Sequence, residues 1–160
     1  MLITKIFALA ATAAASTPRD PLSASSAEYS WQITAWQAGQ SHGNPAEPTT
    51  GWYNFFVSGD EVDEESTSIP KFSVQCQGYA DGWPLRSNLT ACGSQTALTD
   101  ASVAARVLPS DTQAHIAVYY IFSTDGVTTR NFTTTIVEDW ARERPPHNFT
   151  TTPTEAAYIG

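Results

Sequence analysis

Apolar and polar residues alternate one by one through much of this chain. In the first such stretch Tyr29, Trp31 and Ile33 share one face, and polar residues occupy the positions between them. Successive side chains of a β-strand point to opposite faces, so this pattern predicts strands that are buried on one side. Apolar residues do not recur at helical spacing, apart from a weak candidate helix at residues 137–142. The sequence therefore predicts an all-β fold, a compact antiparallel β-barrel or β-sandwich.

Several further strands are predicted from the same alternation, at residues 52–57, 69–76, 103–107 and 115–122. The pair Asp125-Gly126 separates the last of these from an alternating stretch at residues 127–137. Such a pair is typical of a hairpin with a type I′ turn, in which both central residues have positive φ. We therefore expect a central antiparallel hairpin here.

Length and charge limit the domain organisation and the classes of partner. A chain of 160 residues has room for one domain, which we place at residues 29–140. Eight basic residues stand against sixteen acidic ones, for a net charge of −8. Nucleic acids and anionic membranes are bound through clusters of basic residues, which this composition does not supply. We expect neither as a partner.

The N-terminus resembles a secretory signal peptide. Lys5 provides a positive charge, residues 6–15 are apolar and small, and we expect cleavage after Ala15. This stretch of ten residues is too short to span a bilayer, which argues against a membrane anchor. Residues 16–28 are rich in Ser, Ala and Pro and are predicted to be a flexible leader. An extracellular location follows from this interpretation.

The C-terminal residues 141–160 contain two adjacent prolines and many threonines. They show no apolar periodicity, so we predict a Pro/Thr-rich tail that forms a loop or is disordered.

Cys76 and Cys92 are the only two cysteines. In a secreted protein an even number of cysteines favours a disulfide bond. A zinc site is the first alternative, but the sequence has no CxxC pair and no nearby histidine. A catalytic thiol is the second alternative, and it would have to stay reduced outside the cell.

Three sequons for N-glycosylation occur, at Asn88, Asn131 and Asn148. Each tripeptide is common by chance in a threonine-rich chain, and the three together agree with a secreted glycoprotein. Asn88 lies inside the predicted disulfide loop.

Groups suited to catalysis or metal binding are scattered. His42, His115 and His147 are not joined by spacing to any nucleophile, and there is no GxSxG motif. The acidic residues 60–65 lack the order of a calcium-binding loop and are typical of a solvated turn between strands. We predict no catalytic residue, no metal site and no cofactor, and thus a protein that is not an enzyme.

Aromatic side chains are the remaining candidates for a binding site. Most aromatics of a β-protein belong to its core or to cross-strand pairs. Trp83 is different, because it lies in an Asp-Gly-Trp-Pro sequence inside the predicted disulfide loop. Functional residues concentrate on loops held by a rigid scaffold, so Trp83 is our candidate ligand-binding residue.

A family resemblance rests on three motifs in order: Tyr29-x-Trp31-x-Ile33, Tyr53-Asn54-Phe55, and Phe72-Ser73-Val74-Gln75-Cys76 with Cys92 sixteen residues later. In this respect the chain resembles the Alternaria major-allergen family of secreted fungal proteins, from Tyr29 to about Val137. The resemblance implies a compact antiparallel β-barrel or β-sandwich, with Cys76 and Cys92 matching the family's first disulfide. A second cysteine pair, present in the C-terminal half of many members, is absent here.

The resemblance also implies a function. Members of the family are allergens, elicitors of plant defence, or effectors that bind host defence proteins, and some bind small phenolic ligands. We therefore expect a non-enzymatic extracellular virulence protein that binds a host defence protein, as a monomer or a non-covalent dimer. The alternative is a β-barrel module that binds a small phenolic molecule or a carbohydrate.

Overall fold

The computed structural model describes residues 29–41, 49–64, 67–93, 100–140 and 146–156. The predicted signal peptide and leader lie outside these residues. Within them the strands are β1 (Trp31–Ser41), β2 (Thr50–Gly59), β3 (Val62–Glu64), β4 (Thr67–Ile69), β5 (Phe72–Asp81), β6 (Thr90–Ala91), β7 (Ala101–Leu108), β8 (Ala114–Ser123), β9 (Thr129–Glu138), β10 (His147–Thr151) and β11 (Thr154–Glu155). Sheet 1 has the order β10-β1-β2-β5, sheet 2 the order β11-β9-β8-β7-β6, and β3 and β4 form a separate hairpin.

The two antiparallel sheets pack on each other like the layers of a sandwich. Phe72 of sheet 1 stacks on Tyr120 of sheet 2 with 4.1 Å between ring centroids. Trp31 meets both rings edge-on, at 5.4 and 6.5 Å. The all-β prediction is confirmed, and of its two alternatives the structure is the sandwich, since the sheets do not close into a barrel.

Alternation along the strands accounts for this core. In β2 the side chains of Tyr53, Phe55 and Val57 are buried, and the residues between them face outward. The predicted strands at residues 52–57, 103–107 and 115–122 are confirmed as parts of β2, β7 and β8.

The acidic stretch is more structured than a simple turn. Val62–Glu64 forms β3 and pairs with Thr67–Ile69, which is β4. The strand predicted at residues 69–76 is therefore divided, because Ile69 ends β4 and a new strand begins at Phe72. Pro70, which has no N–H to donate to a β-ladder, lies at the interruption.

The predicted hairpin is confirmed, because β8 pairs with β9 in the middle of sheet 2. The predicted type I′ turn is wrong, since of the two central residues only Gly126 has positive φ, at 73°. The last strand pair is Ser123 with Thr129, which leaves a longer loop of residues 124–128. Its shape is held by Asp125, whose Oδ1 accepts hydrogen bonds from the N–H groups of Val127 (2.8 Å) and Thr128 (2.6 Å).

The C-terminal residues correct a prediction. Instead of forming a loop or a disordered tail, β10 pairs with β1 and β11 pairs with β9. Phe149 packs against Trp36 with 6.0 Å between centroids, and Arg130 donates to both carboxylate oxygens of Glu155, at 2.8 and 3.0 Å. Each is an edge strand with few apolar residues, so no hydrophobic period marked it. The candidate helix at residues 137–142 is also wrong at its start, because β9 continues to Glu138.

The predicted disulfide between Cys76 and Cys92 is present, and both side chains are buried. Cys76 belongs to β5 of sheet 1, whereas Cys92 follows β6 and donates its N–H to Val103 of sheet 2, at 2.8 Å. Gly93 donates to the carbonyl of Gln75, at 2.9 Å. The bond therefore joins the two sheets along one side of the sandwich.

We expect the double substitution of Cys76→Ala and Cys92→Ala to lower the free energy of unfolding by about 3 kcal/mol, because the closed loop restricts the unfolded chain. Urea denaturation measures this loss. Wild-type protein in a reducing agent is the control and should lose a similar amount. A loss below about 1 kcal/mol in both would contradict a structural role for the bond.

The carboxylate of Asp125 makes the stability of the fold depend on pH in acid. Hydrogen bonds from the backbone of Thr128 and Val127 lower the pKa of Asp125 to about 2. This is below the pKa of an unfolded aspartate, about 3.9, so the carboxylate stabilises the fold above that pH. The contribution is lost as the pH falls through about 2.

An NMR titration of the Asp125 carboxyl should therefore have its midpoint near 2. Asp125→Asn keeps an oxygen acceptor without the charge, and it should remove the part of the pH dependence that arises between about pH 4 and pH 2. A midpoint near 3.9 would show that the loop hydrogen bonds do not persist in solution.

Candidate functional site

A groove of about 960 Å³ opens along the side of the sandwich where the chain passes from sheet 1 to sheet 2. Residues 50–53 and 77–81 line it from β2 and β5, and residues 86–88 with Thr90 line its far side. Its volume lies at the upper end of the range for ligand pockets. It is our candidate functional site, which we call the β5 groove.

Contacts between β5 and the chain that follows it bound the β5 groove at both ends. At one end the Cys76–Cys92 bond and the Gly93–Gln75 hydrogen bond join the walls. At the other end Asp81 and Arg86 exchange two backbone hydrogen bonds, both of 3.1 Å. The stretch of β5 that faces the groove is thus residues 77–80.

The far wall is attached firmly to sheet 2. Ser87 donates its N–H to the carbonyl of Val107, at 3.1 Å, and its Oγ accepts the Val107 N–H, at 2.9 Å. Leu85, in the turn before this wall, is buried. A Cβ on Gly51 would lie 3.0 Å from Leu85 Cδ1, so glycine leaves the space that this side chain fills. The groove is therefore held by a rigid scaffold.

Two aromatic residues stand at the outer rim of the β5 groove. Trp52 of β2 and Tyr79 of β5 are directly opposite each other across the sheet, with 37% and 84% of their surfaces exposed. Trp52 lies close over the backbone of β1, since a Cβ on Gly39 would come within 2.7 Å of its Nε1. Its indole is thus supported from below while part of the ring stays accessible. Exposed aromatic surface of this kind often marks a binding site.

Polar groups surround these rings. Gln77 and Asp81 lie on the β5 side, and Arg86 and Asn88 lie on the opposite wall. Burial raises the pKa of the Tyr53 hydroxyl, which also lines the groove and is hydrogen-bonded to the Thr90 side chain of the far wall. Amides, an acid and a base beside aromatic faces suit recognition of a ligand that is both polar and apolar.

Of the two site residues predicted in the disulfide loop, one lines the β5 groove and the other does not. Trp83 is 63% exposed in the turn after β5 and does not line the groove, so its binding role stays a prediction. Asn88 is exposed and lines the groove. A glycan on Asn88 would project beside the binding surface.

The other two sequons differ in accessibility. Asn148 is exposed, and its Oδ1 accepts the N–H of Ala35 at 2.9 Å, where a bulge interrupts β1. Asn131 is half-buried, and its Oδ1 is inaccessible and has no hydrogen-bond partner among the described residues.

The two histidines in the described ranges lie on strands of different sheets. His42 lies outside the described residues, His115 lies in β8, and His147 of β10 is 3.4 Å from a carboxylate oxygen of Glu138. In the described ranges there is no group of three or more metal-ligating side chains, and no helix there is long and apolar enough to cross a membrane.

Sequence reasoning missed Trp52 and Tyr79 as site residues. The position of Trp52 in the alternation held the signal: Tyr53, Phe55 and Val57 are buried, so Trp52 and Phe56 must face outward. Two large aromatics on the outward face of a strand are unusual when a polar surface is expected.

Comparison of the chain with family models, curated proteins and solved structures finds no match.

Proposed function

We propose that this chain is a secreted, non-enzymatic binding protein that takes its ligand in the β5 groove. The observation that carries the proposal is the exposed pair of Trp52 and Tyr79 at the rim of a groove whose walls are joined by the Cys76–Cys92 bond. A host protein of the extracellular space is the proposed partner, in agreement with the resemblance to the Alternaria major-allergen family.

The chemistry of the groove favours a protein partner. Tryptophan, tyrosine and arginine contribute most to binding energy in protein interfaces, and Trp52, Tyr79 and Arg86 all lie here. A rigid wall lowers the entropy lost on binding. The disulfide is compatible with an extracellular location.

A second candidate is a carbohydrate or a planar phenolic molecule. It is favoured by Trp52, whose indole is supported by Gly39 and so presents a preformed surface for stacking. Gln77 and Asn88 lie nearby as donors and acceptors for hydroxyl groups. Both candidates place the ligand in the same groove.

We expect the double substitution of Trp52→Ala and Tyr79→Ala to weaken ligand binding at least about tenfold while the fold is retained, because both rings are on the outer surface. The matched control is Phe56→Ala, which removes a 43% exposed aromatic from the same face of β2 but outside the groove. Circular dichroism and thermal melts establish that each variant is folded.

Binding is measured in three arms, with biotinylated mature protein on a glycan array, against a panel of plant phenolics, and against proteins of plant apoplastic fluid quantified by mass spectrometry. A signal that the double variant loses and Phe56→Ala keeps supports the proposal, and the arm in which it occurs identifies the ligand class. No binding in any arm, or equal binding by all variants, would overturn it.

A further inference from the structure

The backbone of β5 has one side that sheet 1 does not use. In a β-strand the N–H and C=O of one residue point to the same side, and the side alternates from residue to residue. The carbonyl of Gln75 and both backbone groups of Asp81 bond to residues beyond the sheet, to Gly93 and Arg86. The pairing of β2 with β5 has no register shift between these positions. The backbone groups of Gln77 and Tyr79 therefore also point away from β2, into the β5 groove.

These groups are unpaired in the described part of the chain. Neither residue has a backbone hydrogen bond to any segment outside the sheet, whereas Gln75 and Asp81 on either side of them do. Gly78 and Ala80 lie opposite Tyr53 and Gly51 and face β2. Two N–H and two C=O groups thus stand at the spacing of a β-ladder along an open groove. An unpaired strand edge of this kind is a template for another strand.

The walls of the groove restrict what can pair there. Residues 86–90 are fixed to sheet 2 by the Ser87–Val107 hydrogen bonds and by the pairing of Thr90 with Ala105. They stand opposite β5 on the far side of the groove, so a partner reaches the edge of β5 only between these two walls, which favours a single extended segment over the edge of a whole second domain. The open stretch of residues 77–80 matches a segment of about four or five residues at strand spacing.

The side chains define the segment further. On the outer side of the sheet an added strand would place alternate side chains beside Tyr79, where an apolar or aromatic residue gains contact area. The protein carries a net charge of −8, which disfavours an acidic segment.

We propose that the edge of β5 at Gln77 and Tyr79 binds an extended, non-acidic segment of a partner protein by β-strand addition. Main-chain hydrogen bonds provide affinity, and the side chains beside Tyr79 provide selectivity. This inference rests on the proposed function, because it specifies how the β5 groove binds its protein ligand.

Amide hydrogen exchange tests the premise in the free protein. The N–H groups of Gln77 and Tyr79 should exchange at least about tenfold faster than those of Gly78 and Ala80, which face β2. Equal protection of all four amides would overturn the assignment of a free edge.

The probe for binding is a phage-displayed library of random 12-residue peptides, panned on the mature protein. Selected peptides should be non-acidic, and a bound peptide should slow exchange at Gln77 and Tyr79. Gln77→Pro removes one edge N–H, whereas Gln77→Ala removes only the side chain and is the matched control. Because this N–H is not used by sheet 1, proline is compatible with the fold at such an edge position.

We expect Gln77→Pro to weaken peptide binding at least about tenfold, and Gln77→Ala to change it less than about threefold. Failure to select any peptide, equal binding to Gln77→Pro, or a bound peptide that leaves both amides unprotected would overturn strand addition. If Gln77→Pro does not fold, amide protection in the wild-type complex decides the matter. Glycan or phenolic binding that requires Trp52 and Tyr79 while no peptide binds would leave the proposed function standing and remove this inference alone.

Discussion

The Cys76–Cys92 bond is the constraint on which the arrangement of the two sheets depends along the groove side. It joins β5 of sheet 1 to the residue that follows β6 of sheet 2, and the Gly93–Gln75 hydrogen bond lies next to it. Elsewhere the sheets are held by side-chain packing, such as Phe72 on Tyr120, and by a side-chain hydrogen bond between Thr134 and Thr151. Packing is distributed and tolerates small shifts, whereas a covalent bond defines one point of contact between the sheet edges.

The β5 groove is a consequence of this link. Once the chain is held at Cys92 and at the Asp81–Arg86 pair, it has to span the side of the sandwich between these points. Residues 86–90 follow sheet 2, and among the described residues no strand pairs with the edge of β5 opposite them. The same geometry that stabilises the sandwich thus exposes backbone groups beside Trp52 and Tyr79. The segment from Arg86 to Cys92 thus both links the two sheets and forms one wall of the candidate binding site.

The candidate site was harder to predict than the core. A strand that is buried on one face has apolar residues at every second position, and this pattern made β2, β7 and β8 predictable. A site requires residues from several strands to meet, and Trp52 and Tyr79 become neighbours only through the register of β2 with β5. Trp83 was a candidate because it interrupts the alternation of the strands. It lies in the turn after β5, however, and the groove is lined by other residues. Edge strands β10 and β11 escaped prediction because an edge buries few apolar side chains.

The all-β class, the inward faces of the main strands, the central hairpin and the cysteine pair could be predicted from the amino-acid sequence, since these depend on periodicity, on a break between two alternating stretches and on the number of thiols. The tertiary structure was needed to show that the sheets form a sandwich, that the C-terminal residues complete both sheets, and that the described residues leave the edge of β5 unpaired at Gln77 and Tyr79. The physical reason is that strand order and sheet packing are set by contacts between residues distant in the chain. Such contacts do not produce a repeating pattern of apolar and polar residues in the sequence.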